Sequence, residues 1–348
     1  MQDQNARRHG TMTPDLPVPS ETKVLIAVWH KFTLWQPPPE MSERIRQRWP
    51  EMRVVHLPNY DRVPEELADA DIFIGPSLRA DQFAWAKKLR WIHATAAGVN
   101  QLMYAELRQS EVIITNASGV HSIPMVEHVM GVLVAMARRF PDILRQQREH
   151  RWSQQEIWDR IPRPRELHGR VLLLVGFGAV GQEVAKMAKA FGMTIHAVTR
   201  SGRGDANLAE KIYPASELNA ALREADYIVL AAPETAETHH MIGAAQFQAM
   251  KPDAYFVNMA RGSLVDEAAM IETLREHRIA GAALDVASQE PLPPESPLWD
   301  LENVFITPHL SASTENLWTR QTDLVMENLE RWFAGRELRN RVDPGRGY

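Results

Sequence analysis

The strongest constraint on the fold is residues 171–203, where an apolar run leads directly into three closely spaced glycines. Residues 171–175 (VLLLV) lack polar alternation, which is typical of a strand covered on both faces. Gly176, Gly178 and Gly181 follow, and a single apolar stripe then predicts a helix that Gly192 ends. Residues 193–199 begin a second strand. This order predicts a parallel α/β unit.

The glycine spacing also indicates a ligand. In a G-x-G-x-x-G turn the first glycine allows the tight bend, the second lets backbone approach a pyrophosphate, and the third lets the helix pack on the strand. The helix N-terminus adds free N–H groups and a positive dipole end. The pattern favours dinucleotide binding by Gly176, Phe177, Gly178, Ala179, Val180 and Gly181. A tight turn without a ligand is the alternative.

Composition excludes several classes of protein. The 348 residues are enough for two domains, and a net charge of −5 argues against nucleic acid as a partner. The absence of cysteine excludes disulfides and thiolate chemistry. No apolar run approaches the roughly 18 residues of a membrane span, so no membrane partner is expected. Residues 1–20 are polar and proline-rich, which predicts a disordered tail. We expect a cytoplasmic enzyme.

Strand-like runs on both sides of residue 119 predict two parallel-sheet domains. The first domain lacks a glycine turn, so it should hold something other than a dinucleotide; its strands are expected at residues 23–29, 52–57, 71–75, 90–95 and 112–116. Pro124 suits the first turn of a long helix that Pro141 interrupts. The second sheet is completed by strands expected at residues 227–231, 254–259, 281–286 and 304–307. An amphipathic helix at residues 314–333 should return to the first domain.

Three polar residues follow the ends of the late strands. Arg261 offers a planar charged fork suited to a carboxylate, and His309 can move a proton near neutral pH. Glu290 is a carboxylate that could orient the histidine and favour its protonated form. Each residue taken alone also has a structural interpretation: Arg261 as part of a surface ion pair, Glu290 as a solvated loop acid and His309 as a loop-capping histidine. Together they predict catalysis without a metal at the carboxyl ends of the strands.

From about Lys23 onward the chain resembles the D-isomer-specific 2-hydroxyacid dehydrogenase family. The glycine turn, APETAETHHMI, NMARGSLVDE, EPLP at Glu290 and TPHLSAST follow in the family's order and spacing. The resemblance implies that Arg261 holds and polarises a 2-oxo acid, that His309 is the acid/base and that Glu290 is its partner. TAAGVNQL is similar to the family's substrate loop, which implies carboxylate binding by the backbone at Ala97, Gly98 and Val99.

The resemblance also implies a fold and a cofactor. We expect two Rossmann-like or flavodoxin-like domains, with a cofactor domain (119–312) inserted into a discontinuous substrate domain (21–118 and 313–348). The cofactor is expected to be NADP or NAD. Beyond the glycine turn, its predicted contacts are Thr199, Arg200, Ser201, Arg203, Ala232, Pro233, Thr238, Met259, Ala260, Arg261, Asp285 and His309.

The residues after the second strand favour NADP over NAD. An NAD enzyme of this design places an acidic residue there to bind the ribose hydroxyl, whereas Thr199 is followed by Arg200, Ser201 and Arg203. These are phosphate-binding residue types, although an exposed basic turn would look the same. Asp205 is the only nearby acid and keeps NAD possible. The reducing cofactor NADPH in turn favours reduction of glyoxylate or hydroxypyruvate.

Other functions remain as alternatives. Phosphoglycerate dehydrogenase is disfavoured because no regulatory domain follows His309, and phosphite oxidation because no lysine lies between Lys88 and Lys186. A dinucleotide-sensing binding protein on the same fold is the second hypothesis, and the intact Arg, Glu and His argue against it. The residues that line the side-chain pocket stay open among Leu78, Arg79, Trp29 and His30.

Two tryptophans in the charged segment RQQREHRWSQQEIW predict a homodimer. Large aromatic side chains in so polar a stretch are a liability in a monomer but commonly anchor an interface. Packing of both rings on their own subunit is the alternative. The resemblance implies dimerisation through this region, with Trp152 rather than Trp158 reaching the substrate pocket of the partner.

Overall fold

The structure is a computed structural model that describes residues 16–345. Within these residues one compact unit contains residues 16–118 and 316–345, and the other is Gly119–Glu315. A disordered tail was predicted for residues 1–20, and residues 1–15 of it lie outside the described residues. Its last residues enter a short 3-10 helix, Pro19–Glu21. The functions assigned above to the two units stay predictions.

A five-stranded parallel sheet forms the centre of the first unit, with the strand order β2-β1-β3-β4-β5. Its strands are β1 (Lys23–Ile26), β2 (Arg53–His56), β3 (Ile72–Gly75), β4 (Trp91–Ala94) and β5 (Ile113–Thr115). The helices between them are α1 (Pro39–Arg48), α2 (Val63–Leu67), α3 (Ala80–Phe83) and α4 (Ala105–Arg108). Val24 and Ile26 of β1 face one core while Leu25 faces the other, because successive strand residues point to opposite sides.

A seven-stranded parallel sheet forms the second unit, with the strand order β12-β11-β10-β9-β6-β7-β8. Its strands are β6 (Val171–Val175), β7 (Thr194–Thr199), β8 (Lys211–Pro214), β9 (Tyr227–Leu230), β10 (Tyr255–Asn258), β11 (Gly281–Leu284) and β12 (Val304–Ile306). The order reverses beside β6, so a crevice is expected at the carboxyl end of that strand.

Helices cover both faces of the second sheet. The helices of this unit are α5 (Ser122–Ala137), α6 (Phe140–Arg148), α7 (Gln154–Asp159), α8 (Ala179–Ala190), α9 (Leu218–Glu224), α10 (Ala244–Ala249) and α11 (Glu267–Arg275). Leu172 and Leu174 of β6 pack in the core that includes α5 and α8, and Leu173 and Val175 pack in the core that includes α9 and α11. Both faces are therefore apolar, as the continuous run VLLLV predicted.

The last helix, α12 (Leu317–Phe333), belongs to the first unit. Val325, Leu329 and Trp332 join Val24, Ile72 and Trp91 in one core, and the rings of Trp91 and Trp332 lie 5.7 Å apart. The helix therefore closes the face of the first sheet that carries these residues.

The predicted class of two parallel-sheet α/β units is confirmed. The long helix expected to break at Pro141 is two helices: Arg139 adopts a left-handed conformation at φ 61°, and Pro141 lies in the first turn of α6, where its missing N–H costs nothing. Among the strands and α-helices of the second unit, β8, α7 and α10 were not predicted, because none has a long apolar period. Among the described residues, no helix is both long enough and apolar enough to cross a membrane.

Candidate active site

Two glycines hold the turn after β6 in a shape that only glycine allows. Gly176 has φ +102°, and a Cβ there would lie 2.5 Å from the carbonyl carbon of Ala231 and from the nitrogen of Ala232. A Cβ on Gly181 would lie 2.4 Å from the carbonyl oxygen of Gly176. The turn therefore packs, backbone against backbone, on the residues after β9 and on the first turn of α8.

The middle glycine differs, because it faces open space. A Cβ on Gly178 would meet nothing within 4 Å, and Gly178 is the N-cap of α8 without a side-chain cap bond. The N–H groups of the first turn are therefore available to an anion. Ala179 is exposed and Val180 half-buried, whereas Phe177 is buried in the core. The turn fits a dinucleotide pyrophosphate, with the Phe177 side chain serving as its support.

The predicted residues after β7 are polar and largely exposed. Arg200 donates from Nη2 to Oε1 of Glu237 at 2.6 Å, and the Thr199 hydroxyl donates to the carbonyl of Arg203 at 3.1 Å. Ser201 and Arg203 are exposed. The carboxylate of Asp205 accepts the backbone N–H of Asn207 at 2.9 Å, so it caps its own turn.

The loop after β9 is stabilised from within. The hydroxyl of Thr238 donates to the carbonyl of Pro233 at 2.7 Å and accepts from the backbone N–H of Thr235 at 2.8 Å. Ala232 is buried and Pro233 exposed. The Thr238 side chain, which is one of the predicted cofactor contacts, therefore also stabilises its own loop.

His309 and Glu290 lie together at the carboxyl ends of β12 and β11. Nδ1 of His309 is 2.6 Å from Oε2 of Glu290, and because a carboxylate only accepts, the ring nitrogen is the donor. Oε1 of Glu290 accepts the backbone N–H of Ala287 at 3.2 Å. Nε2 of His309 makes no hydrogen bond with residues 16–345. The pair has the arrangement of an oriented acid/base group with one free ring nitrogen.

Asp285 holds the loop that carries His309. Its carboxylate accepts the Thr307 hydroxyl at 2.6 Å and the backbone N–H groups of Leu310 and Ser311 at 2.9 and 3.0 Å, and its carbonyl accepts the N–H of His309 at 2.8 Å. Burial alone would raise the pKa of Asp285, but the hydrogen bonds from Ser311 and Thr307 and from the backbone hold it below its ordinary value. The sequence predicted Asp285 as a cofactor contact, which stays a prediction; in addition, these bonds make it an anchor of the loop.

A histidine that the sequence did not single out completes this network. Nε2 of His128, on α5, lies 3.2 Å from the hydroxyl of Thr307 and 3.9 Å from Oδ1 of Asp285. Burial lowers the pKa of His128 and outweighs the opposing effect of the nearby Asp285 carboxylate, and this lowered pKa favours the neutral ring. Because the Thr307 hydroxyl donates to Asp285, Nε2–H of His128 is the donor to Thr307. The sequence signal that could have identified His128 is its position as a polar residue inside a largely apolar helix.

Arg261 leaves the end of β10, the strand next to β11, and is exposed. Its Nη1 donates to the carbonyl of the half-buried Ala260 at 2.7 Å, while Met259 before it is buried. A Cβ on Gly262 would lie 1.9 Å from the carbonyl oxygen of Ala287. The Arg261 segment therefore packs directly on the peptide between Ala287 and Ser288, one peptide after the N–H that Glu290 accepts. This role of Gly262 could not be predicted from the sequence.

The remaining predicted residues lie elsewhere. Ala97, Gly98 and Val99 follow β4 in the first unit, and their N–H groups have no hydrogen-bond partner among the described residues. Trp152 precedes α7 and is 96% exposed, whereas Trp158 lies under the guanidinium of Arg163, 5.0 Å from the ring centre. No group of three or more metal-binding side chains occurs in residues 16–345.

Comparison with known proteins agrees with this architecture. Residues 130–311 match the family model for the NAD binding domain of D-isomer specific 2-hydroxyacid dehydrogenases. A glyoxylate reductase from Korarchaeum cryptofilum is 35% identical over 278 residues, which are 78% of this chain and 82% of that protein. A D-3-phosphoglycerate dehydrogenase from Methanocaldococcus jannaschii is 32% identical over 90% of this chain, which spans only 59% of that protein.

A solved structure has the same fold. The NADPH-dependent glyoxylate/hydroxypyruvate reductase from Sinorhizobium meliloti, in complex with NADP and sulfate, is 26% identical with a TM-score of 0.78, over 94% of this chain and 100% of that chain. The enzyme class predicted from the motifs, a nicotinamide-dependent dehydrogenase, is confirmed. The chain belongs to the family of D-isomer specific 2-hydroxyacid dehydrogenases.

Proposed function

We propose that the protein reduces a small 2-oxo acid of the glyoxylate or hydroxypyruvate type to the D-2-hydroxy acid. The observation that carries this proposal is the 2.6 Å contact between Nδ1 of His309 and Glu290, one strand away from Arg261 on the same edge of the sheet. Relatives named as glyoxylate reductases support the substrate class.

The residues of this chain bind the substrate and supply the proton. A bound nicotinamide dinucleotide supplies the hydride to C2. Protonated His309 donates the Nε2 proton to the former carbonyl oxygen, and the Glu290 carboxylate stabilises the imidazolium before that transfer. Arg261 binds the substrate carboxylate with its planar fork and polarises the C2 carbonyl. The N–H groups at Ala97, Gly98 and Val99 are also suited to bind a substrate carboxylate, because they are unpaired among the described residues and backbone donors suit an anion.

NADPH is the cofactor we propose. Arg200, Ser201 and Arg203 are exposed after β7, where an enzyme that prefers NAD would present an acid. The nearby Asp205 carboxylate is engaged by the N–H of Asn207. A similar protein, the Sinorhizobium meliloti reductase, is described as NADPH-dependent.

The test is turnover of a panel of 2-oxo acids with NADPH and with NADH, followed by chiral chromatography of the product. We expect D-glycerate from hydroxypyruvate and a higher kcat/KM with NADPH. An L product would contradict the assigned stereochemistry, and a higher value with NADH would move the ribose contact to Asp205. A protein that binds NADPH but turns over no 2-oxo acid would be the dinucleotide-sensing alternative.

We also propose a homodimer in which Trp152 reaches the active site of the partner. Its ring is 96% exposed, and other large apolar side chains of the same region, including Leu144 and Ile161, are 51% and 81% exposed. Aromatic side chains of this kind commonly anchor interfaces. We also propose a cytoplasmic location, which rests on composition alone.

Sedimentation velocity at assay concentration should give a dimer, and Trp152→Ala should change the KM for the 2-oxo acid while NADPH affinity stays constant. Trp158→Ala is the matched control, because its ring is partly covered by its own chain. A monomer that turns over at the full rate would contradict the dimer. A Trp152 variant with unchanged KM would contradict the shared site.

A further inference from the structure

An ion pair spans the glycine turn. Arg200 follows β7 directly, Glu237 lies in the loop after β9, and these two strands flank β6 in the sheet. Nη2 of Arg200 is 2.6 Å from Oε1 of Glu237, so the pair connects the loops on either side of the turn after β6. It therefore lies on the side of the turn where the adenosine half of a dinucleotide is expected.

The partner of Arg200 is an unexpected one for a phosphate-binding residue. The 2′-phosphate of NADP needs the guanidinium, and a carboxylate already occupies one of its N–H groups. The other acids nearby are engaged elsewhere: Glu234 accepts the hydroxyl of Ser263 at 2.7 Å, and Asp205 accepts the N–H of Asn207. Glu237 is thus the carboxylate that a 2′-phosphate would meet on Arg200.

Exposure decides how strong this competition is. The side chains of Arg200 and Glu237 are 75% and 64% exposed, and exposed pairs contribute little because water and salt screen them. A 2′-phosphate can therefore displace Glu237, and only a cofactor that carries this phosphate has to break the pair.

We propose that Glu237 is a specificity-determining residue that competes with the 2′-phosphate for Arg200 and so lowers the preference for NADP over NAD. This inference rests on the proposed contact between Arg200 and the 2′-phosphate. Removing the carboxylate strengthens NADP binding and leaves NAD binding almost unchanged, because NAD carries a neutral hydroxyl in place of the 2′-phosphate and does not need the guanidinium.

The experiment measures Kd by titration calorimetry for NADP⁺, NAD⁺ and adenosine 2′,5′-bisphosphate. Because the bisphosphate lacks the nicotinamide, its Kd reports only on binding of the adenosine end of the cofactor. For Glu237→Gln we expect Kd for NADP⁺ and the bisphosphate to fall about threefold to fivefold, and Kd for NAD⁺ to change by less than about twofold, as suits an exposed pair. Glu234→Gln, in the same loop but bonded to Ser263, should leave the ratio of the two Kd values unchanged.

Two further variants, Arg200→Gln and the double variant, separate the role of Glu237 from the contact between Arg200 and the 2′-phosphate. Arg200→Gln should weaken NADP⁺ about tenfold or more, as expected for loss of a charge-assisted bond, and in that background Glu237→Gln should have no effect. If Arg200→Gln weakens NADP⁺ but Glu237→Gln does not strengthen it, the role of Glu237 is wrong and the Arg200 contact stands. If Arg200→Gln binds NADP⁺ as the wild type does, the contact and the inference both fail.

Discussion

The turn after β6 and the loops after β10, β11 and β12 leave the same edge of one sheet, yet they are held in place by different means. Gly176 and Gly181 fix the turn through backbone contacts that exclude a Cβ, and its N–H groups stay free. The loop that carries His309 is fixed by side chains, above all by the buried carboxylate of Asp285. Cofactor binding and proton transfer should therefore be separable by mutation.

The largest effect is expected at the proton donor. His309→Ala should lower kcat for 2-oxo acid reduction by about 100-fold or more, because a general acid is removed. Its loop is held through backbone N–H groups, so the variant should fold like the wild type. Near-normal turnover by the folded variant would remove His309 from the mechanism.

The glycines of the turn should respond in opposite ways. Gly176→Ala should destabilise the protein by about 3 kcal/mol or more, because φ is positive and the backbone of Ala231 and Ala232 leaves no room. Gly178→Ala should leave Tm unchanged and raise the Kd for NADPH, because its methyl group would enter the open space above the helix N-terminus. Thermal unfolding and cofactor titration of both variants check this contrast. Equal losses of Tm would show that the turn has no free face.

Asp285→Asn should destabilise the protein by about 2 kcal/mol at pH 7, since the amide cannot accept all three hydrogen bonds. The pKa of Asp285 is lowered in the folded state, so its contribution is present above about pH 4 and is lost as the pH falls through the folded pKa. Urea unfolding from pH 7 to pH 3 should show a smaller decline for the variant than for the wild type. Parallel curves would mean that the carboxylate does not anchor the loop.

The smallest effect is expected at His128. His128→Leu should lower kcat only a few-fold, because the hydrogen bond to Thr307 reaches the His309 loop through two further groups. His128→Gln, which keeps a donor, should recover most of that loss, whereas a purely steric role would give similar losses in both variants. Steady-state kinetics with the Kd for NADPH as a control makes the distinction.

Sequence was sufficient where a short pattern determines a local shape. The glycine turn, the strands other than β8 and the positions of Arg261, Glu290 and His309 after late strands all follow from spacing and apolar period. The carboxyl ends of parallel strands meet at one edge, so three residues far apart in sequence could be expected together. The 2.6 Å contact between His309 and Glu290 agrees with that expectation.

Sequence was insufficient where the determinant is a contact between distant backbones or loops. The tight packing of Gly262 on Ala287 and the pairing of Arg200 with Glu237 bring together residues that no sequence pattern connects. The role of Asp285 in holding the His309 loop was not predicted either, because its hydrogen bonds to residues 307–311 depend on a neighbouring strand. The edge strand β8 is too short and too polar to give a strand signal.

The central claim is that Glu290 and His309 act as one acid/base pair, separate from cofactor binding. The most direct test is Glu290→Gln, measured as the single-turnover rate of NADPH oxidation by hydroxypyruvate together with the Kd for NADPH. We expect the rate to fall about tenfold to 100-fold, because the imidazolium loses its carboxylate partner, and the Kd to stay within about twofold. An unchanged rate, or a loss explained entirely by weaker NADPH binding, would contradict the account.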